Sequence, residues 1–223
     1  MIKKLHKWDI TPKEGIELQK HLRSLIIKRW DGRRISYIGG LDVHFPSRDT
    51  ARAVAVVMTF PELEPVETCV KESRVNFPYV PGLLSFREIP ALLMAIDELK
   101  IKPDVFLCDG QGIAHPRGVG LASHLGLVID SPTIGCAKSP LYGSFKEPAE
   151  VKGSKSPITD EKGNTIGYVL RTRTGVNPVY VSIGHLIDLR TAVKIVLECS
   201  PKYRIPEPLR LAHHLAGEKK GSK

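Results

Sequence analysis

Apolar positions along the chain follow two rhythms, and the changes between them mark out the elements. After Thr11-Pro12-Lys13-Glu14, residues Leu18, Leu22, Leu25 and Ile26 recur at helical spacing and form one apolar face. The tetrapeptide suits a helix start: Thr11 can cap it, Pro12 loses no hydrogen bond at the first helical position, and Glu14 completes a capping box. Three strand-like runs follow, 35–43, 51–60 and 66–75, with polar or proline-containing breaks between them, as in an antiparallel meander. Helical spacing returns within 86–100 through Ile89, Leu92, Leu93 and Ile96, with Pro90 tolerable only near the first turn.

The second half alternates differently. Residues 103–108 form a short apolar run suited to a strand buried on both faces, ending abruptly at Asp109-Gly110-Gln111-Gly112. A helical stretch over 121–129 leads to another short strand, 133–137. This β-α-β-α-β order predicts crossover connections and parallel strands in the second half of the sheet. Residues 144–156 read as a loop, and Gly163-Asn164 as a hairpin turn between Ile158 and the run 165–173. A strand over 179–183, a helix over 188–198 and a last helix from Pro206 through His213 and His214 complete the series. The expected fold class is α/β, a mixed sheet flanked by helices, antiparallel in its first three strands and then parallel. One domain over 1–223 is expected, with 217–223 as a flexible basic tail.

Composition adds limits. No apolar run approaches the roughly 20 residues that a membrane span needs, and the basic start, 1–8, lacks a signal peptide's apolar segment, so a cytoplasmic protein is expected. The four cysteines are far apart and form no CxxC pair, which favours reduced core residues over a zinc site or disulfide frame. The net charge of +9 favours a polyanionic partner, since each neutralised phosphate releases counterions.

Several residues stand out chemically. Asp42 interrupts the strand Gly39-Gly40-Leu41-Asp42-Val43, where its charge is expensive unless compensated. Asp109 ends a buried strand, the place where open α/β sheets gather functional groups. Two such carboxylates side by side would repel without a cation, and hard oxygen ligands suit Mg²⁺ or Mn²⁺. Each also has a plainer reading, Asp42 as a local turn cap and Asp109 as the start of an ordinary strand-to-helix turn. Glu88 fits a capping box, Ser85-Phe86-Arg87-Glu88, that needs no metal. Lys138, just past 133–137, would reach the same strand-end face as Asp109 and could hold a phosphate oxygen, or it is a solvated lysine. His213 shares a helix face with Leu209 and Ala216, so it is expected to point inward as a satisfied core histidine. Tyr79, stiffened within Pro78-Tyr79-Val80-Pro81, could wedge into a duplex or pack on the surface. No third glycine follows Gly110-Gln111-Gly112 at dinucleotide-fingerprint spacing and no GKS or GKT appears, which excludes a nucleotide cofactor.

Together, Gly40-Leu41-Asp42-Val43, Phe77-Pro78-Tyr79-Val80-Pro81-Gly82 through Phe86-Arg87-Glu88, Asp109-Gly110-Gln111-Gly112-Ile113-Ala114-His115-Pro116-Arg117, Gly135-Cys136-Ala137-Lys138-Ser139 and Arg204-Ile205-Pro206-Glu207-Pro208 through His213 resemble the endonuclease V family, deoxyinosine-specific endonucleases of ribonuclease-H-like fold. The resemblance implies hydrolysis of the second phosphodiester 3′ to inosine in DNA, leaving 3′-hydroxyl and 5′-phosphate ends, in DNA repair. It implies an acidic Mg²⁺ site of Asp42, Glu88 and Asp109, with Mn²⁺ as a substitute, His213 beside it, and Lys138 near the scissile phosphate. Pro78, Tyr79, Val80 and Pro81 would form a strand-separating wedge. With the argument that glycines let backbone groups approach a base edge, the loops holding Gly82, Leu84, Gly110, Gly112, His115 and Gly120 become base-pocket candidates. The expected partner is inosine-containing DNA, met by a monomer with no membrane attachment. Inosine-containing RNA, which some relatives of this family prefer, is the alternative substrate, and a noncatalytic nucleic-acid-binding module is the alternative of another class.

Overall fold

The computed structural model describes residues 2–218. Eight strands form one sheet: β1 (Tyr37–Ser47), β2 (Thr50–Thr59), β3 (Pro65–Arg74), β4 (Val105–Cys108), β5 (Thr133–Ala137), β6 (Lys155–Thr159), β7 (Thr165–Leu170) and β8 (Val179–His185). Among the described residues, five α-helices accompany them: α1 (Pro12–Leu22), α2 (Leu84–Asp97), α3 (Leu121–Ile129), α4 (Leu189–Glu198) and α5 (Glu207–Gly217). The strand order is β3-β2-β1-β4-β5-β8-β7-β6. The meander β1 to β3 is antiparallel, whereas β1/β4 and β4/β5 are parallel. Beyond β5 the sheet turns antiparallel again, with β8 against β5 and the β6–β7 hairpin outside it. Gly163, with φ +79°, makes the tight turn of that hairpin and occupies a conformation that glycine takes without steric cost.

Strand alternation sends side chains to two buried layers. Ile38, Val54, Val56, Val105, Leu107, Ile134 and Cys136 pack with Val193 of α4 and Leu209 and Ala212 of α5. Leu41, Ala53, Ala55, Phe106 and Cys108 pack on the other face with Ile89 and Leu92 of α2 and Leu125 of α3. Burial on both sides explains why β4 reads as an unbroken apolar run. Cys108, Cys136 and Cys199 are buried thiols and Cys69 is half-buried. Burial pushes the thiols of the first three well up.

Helix starts follow the sequence in part. Thr11 and Glu14 form the capping box of α1, and Asp188 caps α4 through the Thr191 N–H. The expected box at Ser85 does not form. Instead, α2 begins at Leu84 after an N-cap at Leu83 with no side-chain bond, and Ser85 lies inside the helix, 3.0 Å from Nδ1 of buried His124. His124 Nε2 in turn lies 2.8 Å from His6 Nε2, and His6 Nδ1 lies 2.7 Å from the Lys7 carbonyl. One set of neutral tautomers satisfies this row: Ser85 Oγ–H donates to His124, His124 to His6, and His6 to the backbone. It ties the N-terminal segment across α3, where the Lys3 N–H also donates to the Val128 carbonyl at 2.7 Å. The expected tail begins within α5 at Gly217, and its residues 219–223 lie outside the described residues.

This histidine pair gives the fold a pH dependence. Burial first, then the neighbouring His6, holds His124 well below its ordinary value of 6.5, and burial lowers His6 too. Below pH 6.5 the unfolded chain therefore binds protons that the native state refuses, so stability falls with acidity by up to about 1.4 kcal/mol per pH unit for each histidine. Urea midpoints measured from pH 7 to pH 5 should decline, and His124→Gln should flatten the decline. An equally steep slope in the variant would reject this origin.

Candidate active site

Parallel pairing of β1 with β4 brings the two acids together. Leu41 is opposite Cys108 in the register, and the Asp109 N–H donates to the Leu41 carbonyl at 3.2 Å. Asp42 and Asp109 are the next residues on adjacent strands, and by alternation both point to the α5 side. Lys138 shares this orientation, since Ile134 and Cys136 of β5 pack on that side.

The last helix supplies the histidine. Gly40 makes this approach possible: a Cβ there would meet the Pro208 carbonyl oxygen at 2.2 Å, so any side chain would lift α5 from the sheet. Seated this way, His213 Nδ1 lies 2.8 Å from Asp42 Oδ2 and 3.5 Å from Lys138 Nζ. The expectation of an inward core histidine fails, because the His213 side chain is 64% exposed. It stands at the border of the buried arc of α5 and reaches past the strand ends rather than into the layer.

Ligand atoms of Asp42, Asp109 and His213 all lie within 4.8 Å of one another. Lys138 donates to Asp109 Oδ2 at 2.5 Å. Burial raises the Asp109 pKa, Lys138 opposes that rise, and the Asp42 charge adds to it. The two carboxylates, with Lys138 as a cation beside Asp109, form a hard oxygen-donor pair that fits Mg²⁺ or Mn²⁺.

Glu88 falls outside this group. It comes from α2, on the opposite layer, and is only 7% exposed. Burial, then the charges of Asp42 and Asp109, hold its carboxyl well above the ordinary 4.5. As pH rises past 4.5 the unfolded chain releases this proton before the native state does, so the destabilisation grows with pH. Glu88→Gln should accordingly raise the thermal midpoint at neutral pH in a metal chelator, by roughly 2–4 °C per kcal/mol relieved, and the gain should shrink towards pH 4.5. Calorimetry showing no gain at neutral pH would contradict this reading.

Beside the acids opens a cavity of about 440 Å³. Gly82 and Leu84 form one wall, Gly110, His115 and Gly120 another, and Lys138 and half-exposed Leu141 the rim. Gly112 is not in the wall. Its N–H donates to Ser182 Oγ at 2.8 Å, and a Cβ would strike the Ile183 carbonyl at 2.0 Å, so it serves close packing on β8. Tyr79, Val80 and Pro81 also edge the cavity, and Tyr79 is 73% exposed, the greatest exposure of any large apolar side chain among the described residues. Burial, then Arg117, lowers the His115 pKa to about 4, so its ring is neutral near pH 7.

The family model for Endonuclease V matches residues 19–214. The chain belongs to the Endonuclease V family. It is 50% identical over 216 residues to the Endonuclease V of Nostoc punctiforme, spanning 96% of this chain and 97% of that one. The crystal structure of Endonuclease V from Streptomyces avermitilis superposes with a TM-score of 0.88 at 43% identity, covering 94% of this chain and 92% of that one. Endonuclease V of Ciona intestinalis, solved in complex with a 24mer DNA containing an inosine followed by a ribo-adenosine, matches at 0.80 and 31% identity, covering 92% of this chain and 95% of that one.

Within this family frame, two supporting side chains carry roles that the sequence does not assign. Arg204 donates from Nη2 to the carbonyls of Lys138 at 2.7 Å and Pro178 at 2.8 Å, fixing the backbone that carries the lysine. Gln19 is fully buried and contributes to the cavity lining. Its signal was available: a polar residue three positions before Leu22, on the buried side of α1.

Proposed function

We propose that this protein is a metal-dependent endonuclease that recognises deoxyinosine in DNA and hydrolyses the second phosphodiester 3′ to it, leaving 3′-hydroxyl and 5′-phosphate ends. The observation that carries this reading is the junction of Asp42, Asp109 and His213 with a base-sized cavity under an exposed aromatic. Pockets of this size hold small ligands of comparable bulk, and a nuclease acting beside a lesion needs both parts within a few nucleotides.

Asp42 and Asp109 would hold the divalent cation, Mg²⁺ with Mn²⁺ as a substitute. When bound, the ion supplies Lewis-acid stabilisation of phosphate charge and lowers the pKa of water. Lys138, which donates to Asp109, would hold a phosphate oxygen. His213, with most of its ring exposed, and Glu88, behind the acids, would orient the attacking water. Tyr79 would fill the gap left by the flipped nucleotide. Backbone groups of the loops that hold Gly82, Gly110 and Gly120 would read the hypoxanthine edge, an N1–H donor beside an O6 acceptor. The net charge of +9 would bind the flanking phosphates and make affinity fall with salt.

The ribo-adenosine in the Ciona intestinalis complex favours a second reading, cleavage of inosine-containing RNA. End-labelled DNA and RNA strands of one sequence, each carrying inosine, with and without Mg²⁺, test both. Metal-dependent nicking one nucleotide beyond the inosine's 3′ neighbouring bond supports the proposal, and the preferred sugar assigns the substrate. Binding without nicking across the full metal titration would leave a noncatalytic module.

A further inference from the structure

Behind the cavity, one carbonyl oxygen collects three donors. The Gly82 carbonyl accepts from Gln19 Nε2 at 2.9 Å, from Arg117 Nη2 at 2.7 Å and from His115 Nε2 at 3.0 Å. The tautomer follows from the backbone: the Arg117 N–H donates to His115 Nδ1 at 3.2 Å, which leaves the Nε2 proton for Gly82. Gln19 does more than join this set. Its second Nε2 hydrogen goes to the Val119 carbonyl at 2.9 Å, and its Oε1 accepts from Arg117 Nε at 2.5 Å.

A buried amide with three protein partners is nearly saturated, and the partners lie on two segments remote in sequence. Gly82 ends the stiff Pro78–Pro81 stretch, whereas Arg117 and Val119 both belong to the loop that leads into Gly120 of the facing wall. Gly82 itself, with φ +78°, cannot readily give way to a larger residue, since a Cβ would lie 2.6 Å from Arg117 Nη2. Helix α1 is thereby fastened to the two walls of the cavity through a single side chain.

We propose that Gln19 is a positioning residue for lesion recognition: with Arg117, it locks the Tyr79 segment to the facing wall, so that wedge and pocket are set before DNA arrives. This rests on the function proposed above. A preset site avoids the ordering cost that a loose loop would incur on binding. The lock touches neither the acids nor Lys138, so it governs recognition and leaves the chemical step alone.

The test compares Gln19→Leu and Arg117→Gln with the wild type in three measurements. Two are dissociation constants in a metal chelator, for an inosine duplex and for the same duplex without inosine. The third is the single-turnover nicking rate at saturating enzyme in Mg²⁺. Each variant should weaken inosine binding about tenfold while undamaged-duplex affinity and the saturating rate stay near wild type. Unchanged inosine affinity in both variants, or equal weakening on both duplexes, would overturn the lock. If Gln19→Leu proves too unstable, Arg117→Gln, altered on the less buried partner, decides alone. A wild type that binds both duplexes equally would instead end the lesion-recognition reading itself, and the lock with it.

Discussion

Asp109→Ala should lower nicking of inosine-containing DNA in Mg²⁺ by roughly a thousandfold, the equivalent of about 4 kcal/mol of transition-state stabilisation. Three consequences of one deletion combine in that figure. A hard ligand disappears from the Asp42, Asp109 and His213 group. Lys138 loses the carboxylate that holds it at 2.5 Å and is no longer aimed. The position at the end of β4 cannot be supplied by Glu88, which belongs to the opposite layer. The protein should nevertheless fold, because Asp109 is a poorly solvated carboxyl whose pKa burial raises, and removing it relieves the sheet end. Single-turnover cleavage with a parallel thermal melt separates the effects. Activity within tenfold of wild type would remove Asp109 from the site.

Tyr79→Ala is the second large effect, and it should be confined to binding. The side chain is 73% exposed, so its removal costs the fold almost nothing, and a loss of stability cannot be mistaken for a loss of function. If the ring stacks where the lesion has left the duplex, affinity should fall by roughly 1–3 kcal/mol, about 5-fold to 150-fold. Tyr79→Phe should keep most of it, because stacking needs the ring and not the hydroxyl. Titration of an inosine duplex with each variant checks this, and equal affinities for wild type and Tyr79→Ala would dismiss the wedge.

Where local chemistry decides the structure, the sequence was readable. Thr11 and Glu14 form the box expected of them, and the stretches 121–129 and 133–137 match α3 and β5. These are places where capping, spacing or an apolar run has one economical solution. The errors have a common origin in tertiary partners. Ser85 carries a valid capping pattern, yet it turns inward because His124, 39 residues away in sequence, is its hydrogen-bond partner. His213 lies close enough to Leu209 and Ala216 in helical phase to suggest burial, but the end of the sheet beneath it exposes the ring. The antiparallel return of β8 against β5 also leaves no trace in periodicity, because alternation carries no strand direction.

Much of the site was legible through the pieces of its motifs, and its depth was not. The two aspartates meet because of a register, Leu41 opposite Cys108, that no spacing encodes. Gly112 looks like its neighbours in a glycine-rich turn, but its missing side chain makes room for the backbone of β8. Gln19 is concealed by its residue type, because a glutamine in a helix is ordinarily a solvated one, whereas this one is fully buried.

The contact of Gly40 with Pro208 has a consequence in time as well as space. Proteins are synthesised from the N-terminus onwards and can begin folding while still growing. Here the imidazole beside Asp42 comes from α5, so a nascent chain can lay down most of its sheet while the group of Asp42, Asp109 and His213 remains unfinished. A ribosome-bound intermediate ending before residue 206 would carry both aspartates and no partner from α5.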